Sequence, residues 1–406
     1  MRVLSLSSPT EQLEELLGEP TESAAARQRS LFDECTAPFQ NRLVLFGAGR
    51  LGRRTLSGLR QLGIEPLAFA DNNQALWGRE IEGAPVISPE QAAHQYRNCA
   101  AFVVTIWNGE ASDTMADRIA QLTALGCEKV VPFAPLFWQR AELFLPYYFI
   151  DCPTKVLMYR DLVKAAYSLL ADDESRREYV GQIAFRLLLD FDSLGRPAAG
   201  ERYFSSGLFR FCDEEVMVDC GAFDGDTLTT FVNRRAGRFA SIKAFEPDPA
   251  NWLRLQERIA ALPDQVRRKI RAARKAVGGR PEPVRFNAIG TVCSSVGEGS
   301  LLVDCVRLDD VLEGCEPTLI KFDIEGSELD ALAGAANTIS EHLPVLAVSA
   351  YHEQDHLWRI PLLISSLSDQ YRFFIRPEGC EGWDLTCYAV PGSRLAATQS
   401  GSADIP

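Results

Sequence analysis

The 406-residue sequence predicts an α/β protein with two open, mostly parallel sheets, each in its own domain, joined by a helical connector. Three observations carry this expectation. Twice, at 42–52 and at 216–227, a short apolar run enters a glycine-bearing turn and then a helical pattern. In both cases the next apolar run ends in an acid, Asp71 in the first block and Glu246 in the second. Between the blocks, residues 153–192 show helical spacing alone, through Leu162, Ala165, Ala166, Leu169 and Leu170. The pattern is that of two Rossmann-like domains.

Along the chain, residues 1–40 mix charged helical stretches such as Glu11-Gln12-Leu13-Glu14-Glu15-Leu16-Leu17 with Ser and Pro, and are expected to be a loosely packed lead-in. The first domain, 41–150, should hold strands at 42–46, 66–70, 101–106 and 129–133 with helices between them. Residues 151–210 form the connector. The second domain, 211–395, should hold strands at 215–220, 241–245, 270–276, 318–322 and 345–349, then a hairpin of 371–375 and 385–390. From Pro391 onward the chain is rich in Ser, Ala and Gly and is expected to fray.

Composition removes several functions. A formal net charge of −13, with only short basic clusters such as Arg267-Arg268-Lys269, argues against a nucleic-acid partner, because phosphate binding needs a concentrated basic surface. The apolar stretch 143–150 is broken by Pro146 and is too short to span a bilayer, so no membrane partner is expected and the chain reads as cytoplasmic. Eleven cysteines, an odd number, lie scattered without a Cys-x-x-Cys pair, which points to reduced thiols.

The block Val216-Met217-Val218-Asp219-Cys220-Gly221-Ala222-Phe223-Asp224-Gly225-Asp226-Thr227 places an acidic, glycine-containing turn between a strand and a helix. Gly221 and Gly225 would let the backbone approach a ligand, and the helix N-terminus offers free N–H groups. Asp219, Asp224 and Asp226 would repel a pyrophosphate but suit a cationic sulfonium and an α-amino group. Asp219 has a second reading, as an acid that only stabilises the turn. Glu246, in Phe245-Glu246-Pro247, stands where a carboxylate can accept hydrogen bonds from ribose hydroxyls.

Together with Leu308-Asp309-Asp310, Ile320-Lys321-Phe322-Asp323-Ile324-Glu325-Gly326-Ser327-Glu328 and Ala350-Tyr351-His352, these blocks resemble the FkbM family of methyltransferases over roughly residues 200–391. The resemblance implies a class I methyltransferase fold, with a seven-stranded sheet and one antiparallel hairpin strand. It also implies S-adenosylmethionine as cofactor and O-methylation of a saccharide, nucleotide-sugar or natural-product hydroxyl. On the matching positions, Asp219, Gly221, Ala222, Asp224, Gly225, Asp226, Thr227, Glu246 and Pro247 would bind the donor, and Ala276 and Val277 its adenine. Asp323, Glu325 and His352 would flank the transferred methyl group as candidate bases. Glu328 reads as a helix cap or surface acid, and Asp309-Asp310 as a helix N-cap pair. His352 and His356 have the i, i+4 spacing of some metal sites. With only four histidines and no further ligand set, no metal is expected; one histidine is placed in the acceptor pocket and the other on a helix surface.

In the first block, Gly47, Gly49 and Gly52 follow a strand and open a helix, with Asp71 ending the next strand. The stretch from Asp71-Asn72-Asn73 through Trp77-Gly78-Arg79 to Val86 is similar to N-terminal Rossmann-like domains of bacterial sugar acyltransferases. That resemblance implies a nucleotide-sugar ligand, against a plain scaffold in which the glycines serve only the turn. A non-catalytic nucleotide-sugar or dinucleotide-binding protein is the alternative to the methyltransferase as a whole. Tyr147, Tyr148 and Phe149 read as core, and a homo-oligomer is left open.

Overall fold

A computed structural model gives the fold, and the structure describes residues 8–197, 202–205, 207–288, 290, 295–297 and 299–397. The chain forms two compact units. One comprises the residues up to Arg160 together with Val180–Arg196 and Gly379–Trp383; the other comprises Asp161–Tyr179, Pro197–Glu378 and the residues from Asp384 onward. Residues 151–210 are therefore divided between the two units.

In the first unit, strands β1 (Leu43–Phe46), β2 (Ala68–Ala70), β3 (Glu80–Ile81), β4 (Ala84–Ile87), β5 (Ala101–Val104) and β6 (Val130–Pro132) build one sheet in the order β3-β4-β2-β1-β5-β6. All neighbours are parallel except β3 and β4. Every residue of β1, β2 and β5 is buried, as expected of central strands covered on both faces. The short β3–β4 hairpin is an addition to the expected strands. Glu82 (φ 51°) and Gly83 (φ 79°) form its two-residue turn, with the positive φ values that match the twist of a hairpin.

Residues 8–36 are better ordered than expected. Ser8 and Glu11 form a reciprocal cap on the helix Pro9–Leu17, and the helix Thr21–Thr36 follows. Leu13, Leu16, Leu17, Ala24 and Phe32 are buried, so apolar spacing, not charge content, decides this segment. Tyr147 packs against Trp107, Phe133, Phe137 and Tyr148, and Phe149 is fully buried beside Trp107. Phe149 is thus core of the first unit, while Tyr147 and Tyr148 are half-buried.

In the second unit, β7 (Val216–Cys220), β8 (Ser241–Phe245) and β9 (Ile270–Ala273) are followed by β10 (Ala276–Val277), β11 (Val284–Asn287), β12 (Ser295–Val296), β13 (Leu301–Val303) and β14 (Cys305–Val306). Then come β15 (Leu319–Phe322), β16 (Val345–Ser349), β17 (Tyr371–Pro377) and β18 (Leu385–Pro391). The main sheet has seven strands in the order β17-β18-β16-β15-β7-β8-β9. Strand β18 is antiparallel to both its neighbours, β17 and β16, and the five strands β16, β15, β7, β8 and β9 pair in parallel. This is the architecture the resemblance implies.

One expected strand, 270–276, is two. The chain turns at Lys275, whose N–H bonds back to the Ala273 carbonyl, and Ala276–Val277 then pairs with Cys305–Val306 outside the main sheet. Strands β11, β12 and β13 form a separate antiparallel sheet. The ten described cysteines are free thiols. Among the described residues no helix is long and apolar enough to cross a membrane. The expected frayed tail lies mostly outside the described residues.

Gly52 shows one reason the first motif needs glycine. A Cβ there would stand 1.9 Å from the Gly47 carbonyl oxygen, so helix and strand meet backbone to backbone. Gly52→Ala is expected to destabilise the protein by about 1–3 kcal/mol, read as a lowered midpoint in chemical denaturation.

Candidate active site

In an open parallel sheet, ligands bind beyond the strand C-termini where the strand order reverses. In the second unit that point lies between β7 and β15, which are register partners through Asp219 and Lys321 and through Cys220 and Phe322. The chain leaves β7 at Gly221 (φ 82°). A Cβ on Gly221 would lie 1.9 Å from the Asp323 carbonyl oxygen, so the two strand exits touch and only glycine fits. Gly225 (φ 89°) caps the helix Asp226–Arg235 from the left-handed region, and its Cβ would meet Leu255 and Arg258 side chains. Both glycines are thus required by the protein's own backbone and packing. Approach of a ligand was the expected reason, and the close approach here is between strands.

The loop's acids are partly used internally. Asp224 forms an ion pair with Arg258 at 2.5 Å and accepts the Asp226 N–H, while Asp226 accepts the Thr227 N–H. Ala222 and Thr227 are buried, and Ala222 and Gly221 donate their N–H groups to the Phe245 carbonyl. Glu246 is buried, with Oε2 accepting the Phe223 N–H at 2.8 Å and Oε1 accepting the Asp248 N–H at 2.9 Å. Burial pushes its carboxyl up to about 7, against the pull of these bonds. Pro247 follows it, half-buried. Ala276 and Val277 are buried in the small pairing with β14.

Beneath the loop lies a buried charge pair. Asp219 is fully buried, and its Oδ1 is 3.1 Å from Lys321 Nζ in an ion pair, but neither of its oxygens has a hydrogen-bond partner. The same ammonium donates to the Gly221 carbonyl at 2.6 Å and stands 3.9 Å from Asp323 Oδ2. Burial opposes its charge, but Asp219, Asp323 and Asp226 outweigh that and raise its pKa above the usual lysine value.

Across the crevice, β15 ends at Asp323 and β16 at Ser349. Asp323 accepts hydrogen bonds from the Tyr203 and Ser349 hydroxyls, each at 2.8 Å, with Arg202 at 3.5 Å. Burial alone would raise its pKa, but Lys321, Arg202 and His352 hold it well below the carboxylate range. Such an acid is a weak proton acceptor. His352 Nε2 is 3.5 Å from Asp323 Oδ1 and 3.5 Å from Glu325 Oε1. The structure thus brings Asp323, Glu325 and His352 together. Glu325 carries a φ of 53°, rare for a residue with a side chain, and Gly326 follows at 101°.

Glu328 is not a surface acid. It is fully buried and accepts the Ile324 and Gly326 N–H groups, with His352 Nδ1 at 2.8 Å and His356 Nδ1 at 3.3 Å. His356, expected on a helix surface, is buried with it, because the first turn of the helix His356–Leu367 packs inward. Asp309 caps a helix other than its own, accepting from the Asn337 and Thr338 N–H groups in the first turn of Ala336–His342. Sequence reasoning missed Lys321, whose signal is a lysine inside an apolar central strand, and Tyr203, which no local pattern marks.

In the first unit, Asp71 accepts the Ala48 N–H at 2.7 Å and the Asn73 N–H at 2.8 Å. A Cβ on Gly47 would strike the Ile106 side chain, whereas nothing lies within 4 Å of one on Gly49.

Removing one partner of a buried ion pair strands the other charge, at a cost of about 3–5 kcal/mol. Lys321→Met is expected to lose that much stability in urea denaturation; a change near zero would mean that the ammonium does not hold Asp219.

Comparison with known proteins accords with this geometry. The family model described as methyltransferase FkbM domain matches residues 219–376. Hexuronic acid methyltransferase AglP of Haloferax volcanii is 30% identical over 133 residues, 31% of this chain and 52% of its own length, so the chain spans about half the length of that relative. The crystal structure of methyltransferase FkbM from Methylobacillus flagellatus KT superposes with a TM-score of 0.75 at 26% identity, covering 94% of this chain and 100% of that one. The chain has a methyltransferase fold, and its residues 219–376 match the methyltransferase FkbM domain.

Proposed function

We propose that the protein transfers a methyl group from S-adenosylmethionine to a hydroxyl of a saccharide or related metabolite. The observation that carries this is the meeting, at one switch point, of an acidic glycine loop with the Asp323, Glu325 and His352 cluster. The residues present fit the donor. Asp219 Oδ2 is buried without a hydrogen-bond partner, and a carboxylate so placed suits the donor's cationic end. S-adenosylmethionine supplies a methyl group already activated on a sulfonium, so the protein's task is chiefly alignment.

In this reading Gly221, Ala222, Gly225 and Thr227 line the donor's amino-acid side, with Asp224 and Asp226 keeping the loop negative. Glu246 takes the ribose hydroxyls through the lone pairs left over from the Phe223 and Asp248 bonds, with Pro247 beside it. Ala276 and Val277 offer an apolar wall to the adenine. Asp323, already fixed by Tyr203 and Ser349, orients the acceptor hydroxyl together with Glu325 and His352. The activity in the name of AglP supports a uronic acid as the first acceptor class to assay. For the first unit, the open space at Gly49 leaves room at the glycine loop for the nucleotide-linked sugar that the resemblance implies.

Calorimetric titration with S-adenosylhomocysteine tests the donor site. Wild type is expected to bind, and Glu246→Ala to weaken binding by about 100-fold, the loss of two charge-assisted hydrogen bonds; no binding by wild type defeats the proposal. The pH dependence follows from Glu246. Its carboxyl is ionised above about 7, so affinity should rise as pH is raised through that value and fall below it, where a protonated acid gives up an acceptor. The same titration across that range, flat in wild type, would remove Glu246 as the ribose ligand.

A further inference from the structure

His352 presents a buried nitrogen with nothing to bond. The residue is 5% exposed, and Nδ1 faces the Glu328 carboxylate at 2.8 Å. Nδ1–H donates to that carboxylate, which leaves Nε2 as the nitrogen turned toward Asp323 and Glu325. Nε2 has no hydrogen-bond partner, yet it points between Asp323 Oδ1 and Glu325 Oε1, 3.5 Å from each. A neutral ring presents its lone pair there, and a cationic ring holds its N–H 3.5 Å from either oxygen, too long for a charge-assisted N–H···O bond.

The spacing suits a cation better. Two ligand atoms that share one ion at about 2.1–2.2 Å stand roughly 3–3.5 Å apart. One donor atom from each of Asp323, Glu325 and His352 lies within 4.8 Å of the others. The supporting contacts are those of a metal site: the histidine's other nitrogen bonds a buried carboxylate, which also fixes the Ile324 and Gly326 N–H groups of the intervening turn. Glu325 reaches the cluster through a left-handed backbone conformation, held by the Ile324 and Gly326 N–H bonds to Glu328 on either side of it. The two fixed cations nearby, Lys321 and Arg202, approach Asp323 on Oδ2, while Oδ1 accepts the Ser349 hydroxyl and turns its remaining lone pair to the cluster.

We propose that Asp323, Glu325 and His352 bind a divalent cation of the Mg2+ or Mn2+ class. Two carboxylate oxygens and one imidazole suit such an ion and leave coordination positions open. One open position would take the acceptor hydroxyl, whose proton passes to solvent as the ion stabilises the alkoxide. This last role rests on the methyl-transfer reading; cation binding itself does not. Glu328 is then a positioning residue, acting through His352.

The test is titration of chelator-treated protein with Mn2+, following the free ion by electron paramagnetic resonance, with S-adenosylhomocysteine calorimetry on the same samples. Wild type is expected to bind one Mn2+ per chain, displaced by excess Mg2+. Glu325→Gln should weaken Mn2+ binding at least tenfold while keeping S-adenosylhomocysteine binding, which shows that the variant is folded. Glu328→Gln should weaken Mn2+ roughly 10–100-fold without touching a ligand atom. Wild type that binds S-adenosylhomocysteine but leaves millimolar Mn2+ free overturns the inference, as does unchanged Mn2+ affinity in Glu325→Gln. Mn2+ bound in the absence of any S-adenosylhomocysteine binding would uphold the cation site and remove the donor reading alone.

Discussion

Charge in the interior of a sheet has to be compensated where it lies, and in this protein one ammonium does most of that work at the crevice. Lys321 sits in β15 as the register partner of Asp219 in β7, with the Gly221 carbonyl and Asp323 also within its reach. Without it, two carboxylates would face each other across adjacent strand ends in a medium that cannot screen them. With it, the exits of both strands can be drawn so close that a single Cβ on Gly221 would collide with the Asp323 carbonyl. The acid-lined loop on one side and the acid and imidazole cluster on the other are consequences of that pairing.

A second buried charge orders the far side of the crevice. Glu328 gathers two backbone N–H groups and two histidine rings about one carboxylate, and so sets which nitrogen of His352 faces Asp323 and Glu325. The arrangement explains why the turn 324–326 tolerates two successive positive φ values. Chain direction there is dictated by hydrogen bonding to a fixed acid, not by local propensity.

The sheets are legible because their central strands are short, predominantly apolar runs ended by acids and glycines. Strand-end residues such as Asp219, Glu246, Asp323 and His352 could be located for the same reason: where the run stops, the crevice begins. What escaped the sequence depends on contacts far apart in the chain. Tyr203 reaches Asp323 from 120 positions away, and Asp309 caps a helix that begins 27 residues later. The small sheets of β10 to β14 escaped for a different reason, since two-residue and three-residue pairings leave too short a pattern to read. Both glycine motifs were recognised, but the purpose of Gly52 and Gly221 lies in backbone contacts that only the fold reveals. The two units even share a device: Asp71 takes the Ala48 N–H, and Glu246 takes the Phe223 N–H, each acid bonding its own glycine loop. They differ in the strand before the loop, where β7 carries the buried Asp219 and β1 is apolar throughout.

A crystal structure of the protein with S-adenosylhomocysteine tests the account most directly. The predicted result is a ligand in the crevice of the second unit, with its ribose on Glu246 and its sulfur facing Asp323 and His352. Density for the ligand at the Gly47, Gly49 and Gly52 loop instead, with the second crevice unchanged, would contradict it.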